Sequence, residues 1–595
     1  MQHQFHIPVM GLGFTIDTPV KIARYGINSA ISIVEDNLIE QMRKFYCEKL
    51  IIPYQKITDK EQDYRAKRIT AYLNLVDFIV QDQEKKIKNE SFENNTDLNK
   101  YFELLPENSP LKLKYNQLDS VKGEARINLE NELKNEMVLG SIEVNIMTKV
   151  DKPKFDKEGN QMGIEFSDAL SALRGFANSN LSSGVIFSAG LNPRLYGYCE
   201  SFPDFYPDKN GDLKKKIILK VSDYRSALVQ GKFLAKKGLW VSEYRIESGL
   251  NCGGHAFATD GLLMGPILEE FKTKREELFD EVYSVCEAAL ATNGKGIFKT
   301  KPVFNITAQG GIGTSIENNF FLDFYQLNSI GWGSPFLLVP EVTNVDEETL
   351  QSLANAEPDD YYLSHASPLG VPFNNFRKSS SEAQRIIRID KGKAGSPCLK
   401  KFLQFNTEFT KTPICTASTK YQYFKIKELK EAGLSDEQYE AQAKIIQEKD
   451  CLCEGLSVPA LLVNDIPVPF NFNAVTICPG PNLAYFSGVH SLKQMVDHIY
   501  GRANLLNDVH RSNVFVNELR LYVKYLVSEN NNISLQFNQK KEDYINKFKE
   551  NLLIGINYYN ELATKMEGQA NELFKGMQNE LKQIEISLLA LKLRE

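Results

Sequence analysis

The residues best suited to chemistry lie in Ile246 to His255, I-E-S-G-L-N-C-G-G-H. A histidine changes charge near neutral pH, so His255 is a candidate for moving a proton. Gly253 and Gly254 carry no Cβ, and a backbone without one can approach a flat ligand closely. The apolar run Gly238-Leu239-Trp240-Val241 precedes them and ends in polar Ser242 and Glu243, which predicts a strand opening into a glycine turn. On these residues alone an ordinary turn explains the pattern as well. Two further glycine loops shift that balance. Gln309-Gly310-Gly311-Ile312-Gly313 stands before an expected helix, where free N–H groups and the helix dipole suit a phosphate. Gly331-Trp332-Gly333-Ser334-Pro335 follows the next apolar run, and Gly333 and Ser334 add donors.

These loops need a scaffold that brings them together. Short apolar runs recur at Ile7–Met10, Ala30–Ile33, Ser141–Met147, Gly184–Ser188, Ile217–Ser222, Leu239–Val241, Val303–Thr307 and Ser329–Phe336, with helical patterns between them. Continuous apolar strands alternating with helices predict a parallel sheet covered on both faces. About eight strand–helix units are what a TIM (β/α)8 barrel needs, and a barrel would put every glycine loop on one rim. An open doubly wound sheet is the alternative. Met264 to Ala291 reads as a long amphipathic helix. Residues 36–137 interrupt the alternation and read as a helical insertion whose charges form a solvated face. The expected division is a barrel (1–35 and 138–345), the insertion (36–137), a lid and cysteine-rich region (346–515), and C-terminal helices (516–595).

The loops also carry a family resemblance. I-P-V-M-G-L-G-F resembles the first-strand loop of the nitronate monooxygenase (2-nitropropane dioxygenase-like) flavoproteins, a group that includes flavin-dependent enoyl reductases. S-G-L-N-C-G-G-H resembles their glycine-glycine-histidine loop, and A-Q-G-G-I-G and G-W-G-S-P-F-L-L-V-P-E resemble their two phosphate-binding stretches, in the same order. The resemblance implies a TIM barrel binding FMN. It implies that His255 moves the substrate's carbon-bound proton or sits beside the flavin. It implies phosphate binding by Gly310, Gly311, Gly333 and Ser334, with Gly11 and Gly13 against the flavin ring; Gly253 and Gly254 join the expected cofactor site from their own reading as a close-approach turn. This chain departs from the pattern at Asn251-Cys252, where small residues are usual, and at Trp332-Gly333-Ser334, where Gly-Thr-Arg is usual; no arginine stands in the last loop. Lys220, at the end of a middle strand, either faces the flavin and stabilises negative charge on it or lies on a helix-facing edge.

Five of the nine cysteines, Cys398, Cys415, Cys451, Cys453 and Cys478, fall in the C-terminal third. Beside proline and glycine they suit an iron–sulfur cluster, with Cys415, Cys451, Cys453 and Cys478 as the expected ligands; a structural zinc and inert buried thiols are the alternatives. His365 to Asn375 forms a proline/glycine loop that either covers the barrel mouth or merely connects. From Lys540 onward, Leu562, Met566, Leu573, Met577, Ile584, Leu588 and Leu591 make an amphipathic seam that packs on its own domain or against a second copy.

Composition sets the outer bounds. A chain of 595 residues with 42% hydrophobic and 25% charged residues is globular and exceeds a simple domain. A net charge of −6 with no strong basic stretch argues against a nucleic-acid partner. The amino terminus lacks the pattern of a signal peptide and no apolar run is long enough for a bilayer, so the expected location is cytoplasmic, without a membrane partner. Nothing resembles an NAD(P)-binding fingerprint. The expectation is an FMN-dependent oxidoreductase acting on a small carbon acid, with an FMN/iron–sulfur reductase of an unsaturated carbonyl or thioester, and a non-catalytic scaffold binding a partner through its C-terminal helices, as alternatives.

Overall fold

A computed structural model of the chain describes all residues except 1, 94, 149, 156–157, 159, 470–471, 532–538, 568–571 and 592–595. Eight parallel strands close on themselves in sequence order: β1 (Phe5–Ile7), β2 (Asn28–Ser32), β3 (Ile142–Ile146), β4 (Ser183–Phe187), β5 (Lys215–Val221), β6 (Val241–Glu247), β7 (Asn305–Gln309) and β8 (Ser329–Gly331). β8 pairs with β1, Phe5 opposite Ile330, so there is no open edge. The fold is the expected (β/α)8 barrel, and the doubly wound alternative is excluded by that closure.

β6 departs from the sequence reading. Its pairing continues through Ser242 and Glu243 to Glu247 instead of ending at Val241. Alternation along the strand explains this. Tyr244 and Ile246 are buried in the hydrophobic core, while Glu243 and Arg245 meet other polar strand residues. Arg245, 2% exposed, pairs with Glu143 of β3 at 3.0 Å and with Glu243 at 2.7 Å, and Thr307 of β7 donates to Glu243 at 2.6 Å. His6 of β1 meets Ser329 of β8 at 3.0 Å. The strand could be polar because its partners lie on neighbouring strands.

Between β2 and β3 run the helices Asp36–Lys49, Tyr64–Lys88, Asp97–Leu104, Pro110–Tyr115 and Glu124–Glu136. Their charges do not simply form a solvated face. Arg65 and Arg68 are buried against Asp36, at 3.1 and 2.7 Å, and Glu40 is buried against Arg43 at 2.7 Å. Helix Tyr64–Lys88 packs on Asp168–Ala177 where Gly175 removes a Cβ that would lie 2.7 Å from Ile69. The expected long helix after β6 is two, Met264–Thr273 and Arg275–Thr292, broken at Lys274; the first packs on a C-terminal helix and the second mainly on Tyr224–Ala235.

After β8 the chain returns over the barrel. β9 (Tyr361–Ser364) and β10 (Phe373–Phe376) form an antiparallel hairpin, and helices Val514–Asn531, Gln539–Glu567 and Met577–Ala590 pack together at the end. Leu562, Met566, Leu573, Met577, Ile584 and Leu588 are buried in the chain's own core, so the seam is covered internally. The last four positions of the helical tail read from sequence lie outside the described residues. Among the described residues no helix is long and apolar enough to cross a membrane.

Candidate active site

The C-terminal ends of the strands surround a cavity of about 550 Å³, within the range of small-molecule sites. It is lined by Gly11, Lys220, Gly253, Gly254, His255, Gly310, Gly311, Gly333 and Ser334. The register explains their meeting. Gln309 of β7 lies opposite Glu247 of β6 and Gly331 of β8, so the three glycine loops leave adjacent strands side by side.

Gly310 and Gly311 have φ of 110° and 84°, in the left-handed region that other residues avoid. A Cβ on Gly311 would lie 2.5 Å from Asn251 Nδ2, and one on Gly310 would lie 2.8 Å from Cys252 Sγ. Among the described residues no hydrogen bond engages the N–H groups of Gly311, Ile312 or Ser334. The helix behind them differs from expectation. Its first turn already holds a carboxylate: Glu317 accepts the Gly313 N–H at 2.8 Å and pairs with Arg511 at 2.7 Å. Thr314 caps the Glu317 N–H at 3.1 Å. The donors left for an anion are therefore those of the loop. Arg511 also donates to the Gly311 carbonyl at 2.8 Å and to Asn482 at 3.1 Å. An arginine absent from the last barrel loop thus reaches the phosphate-type loop from the far end of the chain, bracing it from behind with its charge taken up by Glu317.

The floor is polar. Lys220 Nζ lies 2.6 Å from Glu247, and Gln309 Nε2 donates to the same carboxylate at 2.8 Å. Burial pushes the Glu247 carboxyl upward, but the Lys220 charge and the hydrogen bonds from Lys220, Gln309 and Cys252 outweigh it and hold it below the usual range. Burial, then the Glu247 charge, holds the Cys252 thiol well above its ordinary value, so it is protonated at neutral pH. Lys220 faces the cavity, with its charge already paired. Two buried amides have no hydrogen-bond partner for their Nδ2 among the described residues: Asn145 on β3 and Asn251, 2% and 5% exposed. Both line the cavity, and a buried orphan donor marks a place for an acceptor.

His255 lines the same cavity. Its Nε2 lies 2.7 Å from Ser367 Oγ, and its ring meets Phe373 edge-on at 5.2 Å. The 367–374 hairpin loop therefore covers the histidine. Ala256 N–H donates to Pro372 at 2.9 Å and Asn374 N–H to Gly254 at 2.9 Å. On the other flank Gly254 N–H donates to the Cys478 carbonyl at 3.0 Å. A Cβ on Gly253 would lie 2.4 Å from that carbonyl. Gly253 is thus required by the chain packed on it, and Gly254 faces open space on the cavity side. Ser334 Oγ accepts the Gly480 N–H at 2.8 Å, so its hydroxyl serves the same covering segment. Phe402, Leu403, Leu452 and Leu456 complete an apolar ceiling.

Two sequence expectations change here. Gly13 does not line the cavity; its N–H donates to the Leu456 carbonyl at 2.8 Å, and its missing Cβ admits the Ser457 carbonyl. Cys415, Cys451, Cys453 and Cys478 do not form one group. Cys478 and Cys453 both line the cavity, Cys478 at Gly254, and the Cys398 thiol hydrogen-bonds that of Cys415, with Cys451 and Cys453 nearby. Among the described residues no three His, Cys, Asp or Glu side chains converge to hold a metal ion. Asn145 and Arg511 escaped the sequence reading, and Glu247 and Asn251, inside the Ile246–His255 stretch, were given no role there. Asn145 had a local signal, a polar residue two positions beyond Glu143 in an otherwise apolar strand; Arg511 had none.

No protein-family model matches the chain, and no curated protein matches it. Among solved structures it is similar to the enoyl reductase domain of MlnA from the macrolactin biosynthesis cluster of Bacillus amyloliquefaciens, at 13% identity, covering 76% of this chain and 88% of that one, with a TM-score of 0.30. The nitronate monooxygenase resemblance therefore rests on the loops themselves, and the barrel on its closed strand ladder.

Proposed function

We propose that the chain is an FMN-dependent oxidoreductase of a small carbon acid, with His255 as the proton-transfer residue. One observation carries the reading: the Gly310–Gly311 and Gly333–Ser334 loops, the orphan amides of Asn145 and Asn251, and His255 border one cavity at the C-terminal rim. The residues fit the group. Loop N–H groups beside Gly311 and the Asn251 amide suit its phosphate. Asn145, whose Nδ2 is unpartnered in the same cavity, would offer a donor to the ring's oxygens or nitrogens. When bound, FMN supplies the electron acceptor or donor.

The protein's own contribution is positioning and proton transfer. Lys220, paired with Glu247, fixes the polar floor. His255 takes or returns a proton at the reacting carbon, and Ser367 Oγ at Nε2 sets the ring's orientation. Phe373, Phe402, Leu452 and Leu456 exclude water above it. The apolar ceiling also favours a second reading on the same site, reduction of an unsaturated carbonyl or thioester with an apolar chain. Rapid mixing of FMN-loaded protein with nitronates, and of its reduced form with enoyl thioesters, separates the two by which substrate changes the flavin absorbance. His255→Asn is expected to keep FMN and slow the productive reaction by about a hundredfold or more. Full reactivity of that variant would remove His255 from the mechanism.

A further inference from the structure

The C-terminal helices reach the site through one buried carboxylate. Glu518, on helix Val514–Asn531, is 1% exposed. Ser248 Oγ donates to its Oε1 at 2.6 Å, and the Met264 N–H donates to its Oε2 at 2.9 Å. Tyr559, from helix Gln539–Glu567, donates to Oε2 at 3.4 Å. Ser248 and Met264 are the two ends of the loop that carries Asn251, Cys252 and His255. One side chain therefore ties both ends together. The neighbouring contacts serve the same loop. Tyr522, one turn along, accepts the Gly249 N–H at 3.2 Å, Asn551 donates to the Asp260 carbonyl at 2.7 Å, and Gly261 rests on Phe548. Ser248 also supports the phosphate-type loop, its Cβ lying 3.1 Å from where a Cβ on Gly310 would be.

We infer that Glu518 is a positioning residue that sets the shape of the 248–263 loop, so that the site's grip on its ligand follows the charge of this carboxylate. The ligand part of the inference rests on the flavin reading; the loop part does not. The titratable groups facing Glu518 are Tyr559 from the adjacent helix, Tyr522 from its own helix and Cys252 from the loop. Among the described residues no basic side chain hydrogen-bonds it. Burial pushes its carboxyl up to about 7. Ionised, it accepts from all three donors. Protonated, it must turn one oxygen into a donor, and the clamp loosens.

The test pairs hydrogen exchange of residues 248–263, corrected for intrinsic rates, with FMN affinity, both across neutral pH in the full chain. The loop is expected to be better protected, and FMN bound more tightly, above neutral pH. Glu518→Ala is expected to raise loop exchange and weaken FMN binding by about tenfold each, as befits loss of a buried charged hydrogen bond, while strands β4 and β5 stay protected. Glu518→Gln keeps the shape and is expected to abolish the pH dependence. Wild-type loop exchange in Glu518→Ala, or an unchanged pH inflection in Glu518→Gln, would overturn the inference. Failure of wild-type protein to bind FMN would overturn the flavin reading alone, because loop exchange still reports on Glu518.

Discussion

The barrel and the chain folded over it divide the site differently. Residues up to 345 supply the floor: paired strand-end charges, glycine loops and orphan amides, each displayed from a strand or the turn after it. Residues beyond 345 supply contacts that shape those groups: Ser367 on His255, Gly480 on Ser334, Arg511 on Gly311 and Glu518 on Ser248. Binding groups are thus fixed locally and their orientation remotely. Substitutions on the two sides should therefore fail in different ways.

The largest effect belongs beneath the floor. Arg245→Met would leave Glu143 and Glu243 buried without their cation, and we expect a loss of about 3–5 kcal/mol in chemical denaturation. An unchanged midpoint would show that the ion lattice is not what lets β6 be polar. Next comes the carboxylate contributed from outside the barrel. Glu518 has a folded-state value of about 7, against 4.5 for an ordinary carboxyl, so the folded form binds its proton more tightly. Its contribution is fully present below about pH 4.5 and lost as pH rises through 7. Wild type should thus lose about 3 kcal/mol relative to Glu518→Gln across that window, read by denaturation at several pH values. Loosened stability and a tighter clamp above pH 7 are compatible where Glu518 stays buried as the loop opens: burial then raises its value in both loop states, while the Ser248 and Met264 hydrogen bonds lower it in the clamped one, so ionisation costs global stability yet favours the clamp.

Smaller effects sharpen the division. Gly311→Ala meets Asn251 at 2.5 Å from a left-handed backbone and should weaken FMN binding about a hundredfold, at a stability cost of about 1–3 kcal/mol. Phe402→Ala in the ceiling should leave FMN affinity within about twofold and raise KM for an apolar substrate about tenfold, read in steady-state kinetics. The smallest change is expected at the exposed pair Lys547–Asp260, where Lys547→Ala should move stability by less than about 1 kcal/mol although it touches the same loop.

The same division explains what could be read in advance. The eight apolar runs announced the barrel because strands covered on both faces are continuous and apolar, and the glycine loops announced the rim because a glycine requirement is local. β6 was cut short because Glu243 and Arg245 look like a strand's end until Glu143 and Thr307, from distant stretches, are seen beside them. Cys478 was grouped with the other cysteines from sequence proximity, whereas its contacts are with the Gly253–Gly254 turn. Gly253 was read as making room for a ligand; it lines the cavity, and a Cβ there would also strike the Cys478 carbonyl. Arg511 and Glu518 left no trace because a residue acting through a tertiary contact has no motif of its own.

The proposed phosphate grip consists of the backbone donors at Gly311 and the neighbouring Asn251 amide. Titration of purified, flavin-free protein with FMN and with riboflavin tests it most directly. We expect saturable one-to-one binding of FMN, with riboflavin weaker by about a hundredfold for want of the phosphate's charged hydrogen bonds, and both ligands equally weak in Gly311→Ala. Equal affinity of wild type for the two ligands, or no binding of either, would contradict the account.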